Sequence, residues 1–278
     1  RWTDYLAGLK FALAGKEATV ADCVGASGIL TERLWQPLTV AVLNASTAEG
    51  AARILWPVLR LTFGRGEAAC RAYVAQNGLG PDLVEPGVNY VRAHGGEIHF
   101  NQRLRELRLA SGRIDGLEFA SESVTLGRDD TVVLAVPPAG MGQLLPEISA
   151  PLETRAIVNG HFRLDYRVEL PGGNHLLGII GGTAHWLFAR GDIVSVTVSA
   201  ADKLTEKETG EISKLLWRDI AAALGKPPSE PPPHRIVKEK RATFAQTPAM
   251  LAKRPPPRTA YNNLFLAGDW TDTGWPST

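Results

Sequence analysis

The residues best placed to do chemistry lie in the closing stretch, Asn263 to Thr278. An apolar run, Leu264-Phe265-Leu266-Ala267, has the length and composition of a buried parallel strand and stops abruptly at Gly268-Asp269. Gly268 removes a side chain where a backbone or a ligand must come close, and Asp269 sets a carboxylate at the strand's carboxyl end. In open α/β sheets that end is where ligands sit. A polar loop follows, and its Pro276-Ser277-Thr278 reads as the first turn of a helix, with free amides turned toward whatever is bound.

Other reactive side chains give weaker signals. The six histidines, at 94, 99, 161, 175, 185 and 234, show no metal-ligand spacing, so no metal is expected. Cys23 and Cys70 form no Cys-x-x-Cys pair and read as inert thiols. A net charge of +1, from 30 basic and 29 acidic residues among 278, provides no field to draw the chain to nucleic acid. With 44% hydrophobic and 21% charged residues the composition is globular, and no apolar run is long enough to span a bilayer.

Leu-Phe-Leu-Ala-Gly-Asp-Trp from Leu264, followed by Thr-Gly-Trp-Pro-Ser-Thr from Thr273, resembles the C-terminal FAD motif of the flavin amine oxidase and phytoene desaturase superfamily. Within it the likeness is strongest to the squalene-associated FAD-dependent desaturases, the hydroxysqualene dehydroxylases. It continues through Glu239-Lys240-Arg241-Ala242-Thr243-Phe244-Ala245 and through Val194 to Asp202.

The resemblance implies FAD as cofactor and an apolar C30 isoprenoid as substrate. The cofactor-facing set it implies is Leu104, Pro137, Gly268, Asp269, Gly274, Trp275 and Thr278. Leu104 would offer a backbone group to the adenine; read without the resemblance, it is a hairpin residue in a core. Asp269 would accept hydrogen bonds from the ribityl or phosphate-proximal hydroxyls of FAD. Loss of an allylic hydroxyl needs a water-poor tunnel, aromatic faces and one proton donor, which makes Trp186 and Trp275 the aromatics to test. Lys240 and Arg241, after a strand in the substrate region, are candidate catalytic cations, although charges at a strand end are ordinarily solvated surface groups.

The positioning elements are mixed. Helices are predicted over Tyr5–Ala14, Thr31–Leu43 and Ser46–Phe63, the second buried nearly all round and the third bent at Pro57. These helices read either as core or as the walls of an apolar tunnel. A helix over Asp82–His94 precedes short strands at Glu97–Phe100, Leu104–Leu109, Ile114–Phe119 and Ser123–Leu126, then a buried strand at Thr131–Val136 ending at Pro137. Four strands between Val158 and Ser199, joined by Gly-rich turns, read as an antiparallel meander. A capping-box match at Thr205 opens a helix along Ile212, Leu215, Leu216 and Ile220, and a strand is predicted over Arg235–Lys240.

The expected fold class is α/β, mixed with α+β: a partial FAD-binding Rossmann-like domain and a substrate domain with an antiparallel sheet and helices. The expected division is 1–81 helical substrate part, 82–150 adenine-side FAD part, 151–254 substrate sheet and helix, and 255–278 closing FAD motif. A flavoprotein of this kind should open with a strand, Gly-x-Gly-x-x-Gly and a helix that takes the pyrophosphate. No such pattern occurs in the sequence, which also lacks an initiating Met. The chain is therefore expected to be a fragment without its first βαβ unit and final helix, holding FAD weakly by itself.

The function expected of the parent enzyme is reductive dehydroxylation of hydroxysqualene to squalene in hopanoid synthesis. Carotenoid desaturation and amine oxidation are the enzymatic alternatives, and a non-catalytic isoprenoid-binding fragment is the alternative of another class. The expected location is cytoplasmic. An insoluble substrate makes peripheral contact with the inner face of a bacterial membrane plausible, although no basic amphipathic helix supports it.

Overall fold

A computed structural model describes residues 2–278, with side chains from Leu6 onward. Among the described residues, ten strands run in chain order: β1 (Leu104–Ala110), β2 (Arg113–Phe119), β3 (Ser123–Thr125), β4 (Val132–Leu134), β5 (Thr154–Arg163), β6 (Leu176–Gly178), β7 (Trp186–Arg190), β8 (Ile193–Val198), β9 (His234–Phe244) and β10 (Leu264–Leu266). The chain divides into two compact units. One comprises Arg1–Arg71, Pro151–Arg254 and Gly274–Thr278; the other comprises Ala72–Ala150 and Pro255–Thr273.

The first unit is built on a five-stranded sheet of order β6-β7-β8-β5-β9 with antiparallel pairs throughout. Alternation along its strands separates two faces. Val158, Phe162, Leu187, Val194 and Val196 are fully buried on one face, packed in one core with Ile212, Leu216 and Ile220 of the Thr209–Ala223 helix. Gly160 belongs to this contact, since a Cβ there would stand 2.9 Å from Phe162 and 3.1 Å from Leu216. The other face carries Trp186, Thr197, Asn159 and Val237 in one row, all half-buried.

Three expectations for this unit need correction. β5 pairs with β8 and β9 and has no register with β6, so the four strands are not a simple meander. The 163–176 connection is long enough to carry the chain past its neighbours, and it buries Leu164, Val168 and Leu170 on the way. The helix expected from Ser46 begins at Leu55. Ser46 does reach Glu49, but the chain turns there and runs extended at Ala51, which bridges Thr19. Pro57 lies in the first turn of the Leu55–Leu61 helix, where its missing N–H costs nothing, so it does not bend a longer helix. Thr205 ends a short helix, Asp202–Thr205, and the long one starts at Thr209.

The second unit is smaller and more open. β1-β2-β3 form an antiparallel sheet, and β4 and β10 a parallel pair. No strand forms at Glu97–Phe100, which leaves the Glu85–Ala93 helix through Gly95 as irregular chain. The closing pair is not buried on both faces as its apolar run predicts. Val132 and Leu134 are buried but Val133 is 61% exposed, because this sheet has a covering on one side only. Asn263 joins the two sheets. Its Oδ1 accepts the Ile114 N–H at 2.9 Å, and its Nδ2 donates to the Ile114 carbonyl at 2.9 Å and the Asp130 carbonyl at 3.2 Å.

Candidate functional site

β10 and β4 run parallel with Leu266 opposite Leu134, and the Ala267 N–H donates to the Leu134 carbonyl at 3.1 Å. Equal steps past that pair bring Pro137 and Asp269 out of the same carboxyl edge. Trp270 fastens the two loops together, since its indole is buried and its Nε1–H donates to the Val136 carbonyl at 2.9 Å. Gly268 has φ +143°, and a Cβ there would meet the Trp270 Nε1 at 2.7 Å. Its lack of a side chain is thus demanded by its own loop. Asp269 is exposed at this edge.

Leu104 opens β1, half-buried and paired with Phe119, in the neighbouring sheet of the same unit. Gly274, Trp275 and Thr278 belong to the other unit. There the tail is held by buried polar groups: the Arg254 guanidinium donates to the Trp275 carbonyl at 2.8 Å, and the Ser277 N–H donates to the Gln246 Oε1 at 2.9 Å. The Thr278 hydroxyl donates to the carbonyls of Ala41 and Val42. Pro276–Thr278 carries no regular secondary structure.

In the five-stranded sheet the three proposed catalytic residues are not brought together. Lys240 and Arg241 lie inside β9, not after a strand. Between Arg155 opposite Thr243 and Ile157 opposite Glu239, residues 240–242 face Ala156 alone, so the strand bulges and sets both cations in solvent. Trp186 lies three strand spacings across the sheet, in the row of Val237, so it stands more than about 14 Å from either cation.

Trp186 instead forms part of a cavity of about 380 Å³ within this unit. The 31–43 segment, a π-helical turn continued as the Gln36–Leu43 helix, supplies Leu34, Pro37 and Leu38, all half-buried; the β6–β7 hairpin supplies Ile179, Ile180 and Trp186. The helix expected to be buried all round is therefore partly a cavity wall. The hairpin turn is clamped from outside by Asp219, whose Oδ2 accepts the N–H groups of Thr183 at 2.5 Å and Ala184 at 3.0 Å. Gly182 makes room, since a Cβ there would stand 2.8 Å from that oxygen.

His185 lines the cavity beside Trp186. Its Nδ1 accepts the Ser199 backbone N–H at 3.2 Å, which places the ring proton on Nε2. Burial lowers its pKa below the ordinary value of 6.5, so the ring is neutral. Sequence reasoning passed over His185 because it had no metal spacing. Its place in a strand next to a cavity tryptophan was the available signal.

A parallel pair with a carboxylate at its carboxyl edge, in one chain with an antiparallel sheet backed by a helix and bordering an apolar cavity, makes a two-part mixed α/β fold. Among solved structures it is similar to an oxidoreductase from Methanosarcina mazei, with a TM-score of 0.66, 12% identity, and coverage of 98% of this chain and 68% of that one. The chain belongs to the flavin containing amine oxidoreductase family, whose sequence profile matches residues 30–278. It is 41% identical over its whole length to a hydroxysqualene dehydroxylase of Sinorhizobium fredii, and 44% identical over 99% of its length to one of Rhodopseudomonas palustris. It spans 66% and 65% of those two proteins.

A flavin dinucleotide presents sugar hydroxyls, a diphosphate and a flat ring. The exposed Asp269 carboxylate at an open strand edge fits the hydroxyls. The glycine-rich turn that would receive the diphosphate is not among these residues.

Proposed function

We propose that the protein is an FAD-dependent oxidoreductase that removes the hydroxyl group of hydroxysqualene to give squalene. The observation that carries this reading is the identity to hydroxysqualene dehydroxylases along the full chain, so that the β4–β10 edge and the apolar cavity both fall within it. In this reading residues 82–150 and 255–278 serve FAD, and residues 1–81 and 151–254 serve the substrate.

Bound and reduced, FAD would supply the hydride that replaces the departing hydroxyl, which leaves as water on taking up a proton. Asp269 would accept hydrogen bonds from cofactor hydroxyls, while Pro137, Gly268 and the Leu104 backbone would shape the same surface. Gly274, Trp275 and Thr278 would line the flavin side. The apolar cavity wall would keep water from a developing allylic cation, and the Trp186 ring face would stabilise its charge. Lys240 and Arg241, on the β9 bulge, are the proposed active-site cations.

Among the described residues no helix is long and apolar enough to cross a membrane. Peripheral contact is part of the proposal, because a C30 substrate resides in lipid and Leu9 and Leu13 stand exposed.

The test is anaerobic incubation of the full-length gene product with hydroxysqualene, FAD and a reductant, followed by product analysis. Squalene is the expected product. Recovery of unchanged hydroxysqualene, with turnover of a carotenoid-type polyene or an amine instead, would overturn the reading.

A further inference from the structure

The polar side-chain groups lining the cavity under the β6–β7 hairpin are those of Glu32, Arg33, Gln36 and His185, with the indole N–H of Trp186. Glu32 and Arg33 are exposed to solvent. The side-chain carbonyl of Gln36 is taken up by Thr47, accepting its N–H at 3.0 Å and its hydroxyl at 2.9 Å. The Gln36 amide nitrogen donates to no described residue, so Gln36 and His185 both keep a donor, and the His185 ring is the one held from β8. One ring nitrogen is engaged by the Ser199 amide, and that bond fixes the tautomer, leaving Nε2–H with no partner among the described residues. This donor is open to the cavity, and an apolar ligand that displaced water from it would have to supply an acceptor in its place.

The backbone makes this placement reproducible. Ser199 follows β8 directly, and the His185 N–H donates to the Thr197 carbonyl at 3.2 Å, so β8 holds the imidazole from main chain and side chain alike. Ala200, next along, has φ +49° and donates its N–H to the Asn44 Oδ1 at 2.5 Å. Asn44 is fully buried and also donates to the Thr243 hydroxyl at 3.0 Å, which leaves the 199–200 turn little freedom. On the opposite side Asp219 holds Thr183 and Ala184. A ring oriented this firmly selects by position as well as by polarity.

We propose that His185 is the residue that recognises the hydroxyl group of an otherwise hydrocarbon ligand, donating from Nε2 to the hydroxyl oxygen while Trp186, Leu34 and Leu38 take the adjoining chain. This rests on the dehydroxylase reading and deepens it, since it names the feature that tells the alcohol from its deoxygenated product. Product leaves because the hydrogen bond is lost with the oxygen, and the unpaired Nε2–H then disfavours the hydrocarbon that remains.

The experiment compares equilibrium binding of hydroxysqualene and squalene to the full-length gene product, its His185→Asn variant and its His185→Gln variant, with turnover measured alongside. Asn keeps an acceptor for the Ser199 amide but is too short to reach the Nε2 position, whereas Gln reaches it. The wild-type protein should prefer the alcohol. H185N should lose about three- to tenfold in hydroxysqualene affinity with squalene affinity unchanged, and H185Q should recover most of the loss.

Equal weakening of both ligands in H185N, or an unchanged preference for the alcohol, would overturn the role of His185 while wild-type turnover leaves the dehydroxylase reading standing. Squalene affinity in H185N reports whether the cavity has kept its shape. Should H185N fail to fold, His185→Leu takes its place, and an alcohol preference retained there with squalene binding intact would count equally against the proposal. Absence of both binding and turnover of hydroxysqualene in the wild type would remove the reading and the proposal together.

Discussion

The two units of this chain solve the same problem by different means. The five-stranded sheet is backed by a fifteen-residue amphipathic helix, and its inner face is a continuous apolar core from Val158 to Ile220. The unit holding β4 and β10 buries few large side chains, and its sheets are tied by the Asn263 side chain together with the Asn262 N–H, which donates to the Gly112 carbonyl at 3.1 Å. Packing holds the first unit, and it can leave its second sheet face half-open beside an apolar cavity. Directed hydrogen bonds hold the second, and its strand edge stays open at Asp269. An apolar ligand suits the first arrangement and a polar cofactor the second.

If packing dominates the five-stranded unit, its most damaging single change is the loss of a central ring. Phe162 is fully buried, with ring centroids 5.7 Å from Trp217 and 5.5 Å from His234. F162A is expected to cost about 3–5 kcal/mol, read as faster amide exchange along β5, β8 and β9 with β1 and β2 unaffected. Exchange that rose equally in both units would erase the distinction.

N263A sharpens the comparison from the other side. It leaves the buried Ile114 N–H and carbonyl unpartnered and should cost about 1–3 kcal/mol, with accelerated exchange in β2 and β4 and none in β5. A neutral outcome would mean that the few apolar contacts of this unit suffice without the stitch.

The smallest effect concerns pH. Burial holds the His185 pKa below 6.5, so the unfolded chain takes up a proton there at a pH where the folded chain still refuses it. The unfolded state therefore binds more protons, and stability must rise with pH across that window. The contribution is neutral above pH 6.5 and becomes a penalty as pH falls below it. Glu32 and Arg33 share the cavity, so the comparison is made with H185Q, which leaves both in place and removes only the imidazole. Thermal melts from pH 7.5 to 5 should fall more steeply for wild type than for the variant, and parallel slopes would contradict burial of a neutral ring.

Much of this was legible in the sequence where the signal is local. The strand stopping at Gly268-Asp269, the Ile212-Leu216-Ile220 face and the hairpin turns were all readable from spacing. The misses are long-range. Asn263 finds its partner 149 residues away and Asn44 finds Thr243 across 199, and no local pattern announces either. The pairing of β5 with β8 depends on a loop that packs inward at Leu164, Val168 and Leu170. The bulge within β9 that turns Lys240 and Arg241 to solvent is set by its partner strand, so Lys240 reads locally as a strand end. The apolar run of β4 looked like a doubly buried strand because sequence does not report how many faces are covered. His185 was invisible for a related reason: its role depends on a backbone amide fourteen residues on and a cavity built from another segment.

The central claim is that the open edge of β4 and β10 belongs to the cofactor. The most direct measurement is the flavin content and FAD affinity of the full-length gene product with Asp269→Ala, read by visible absorbance and equilibrium dialysis. The account predicts FAD affinity weakened about tenfold or more, with amide exchange in the five-stranded sheet unchanged. Undiminished FAD affinity in D269A would contradict it.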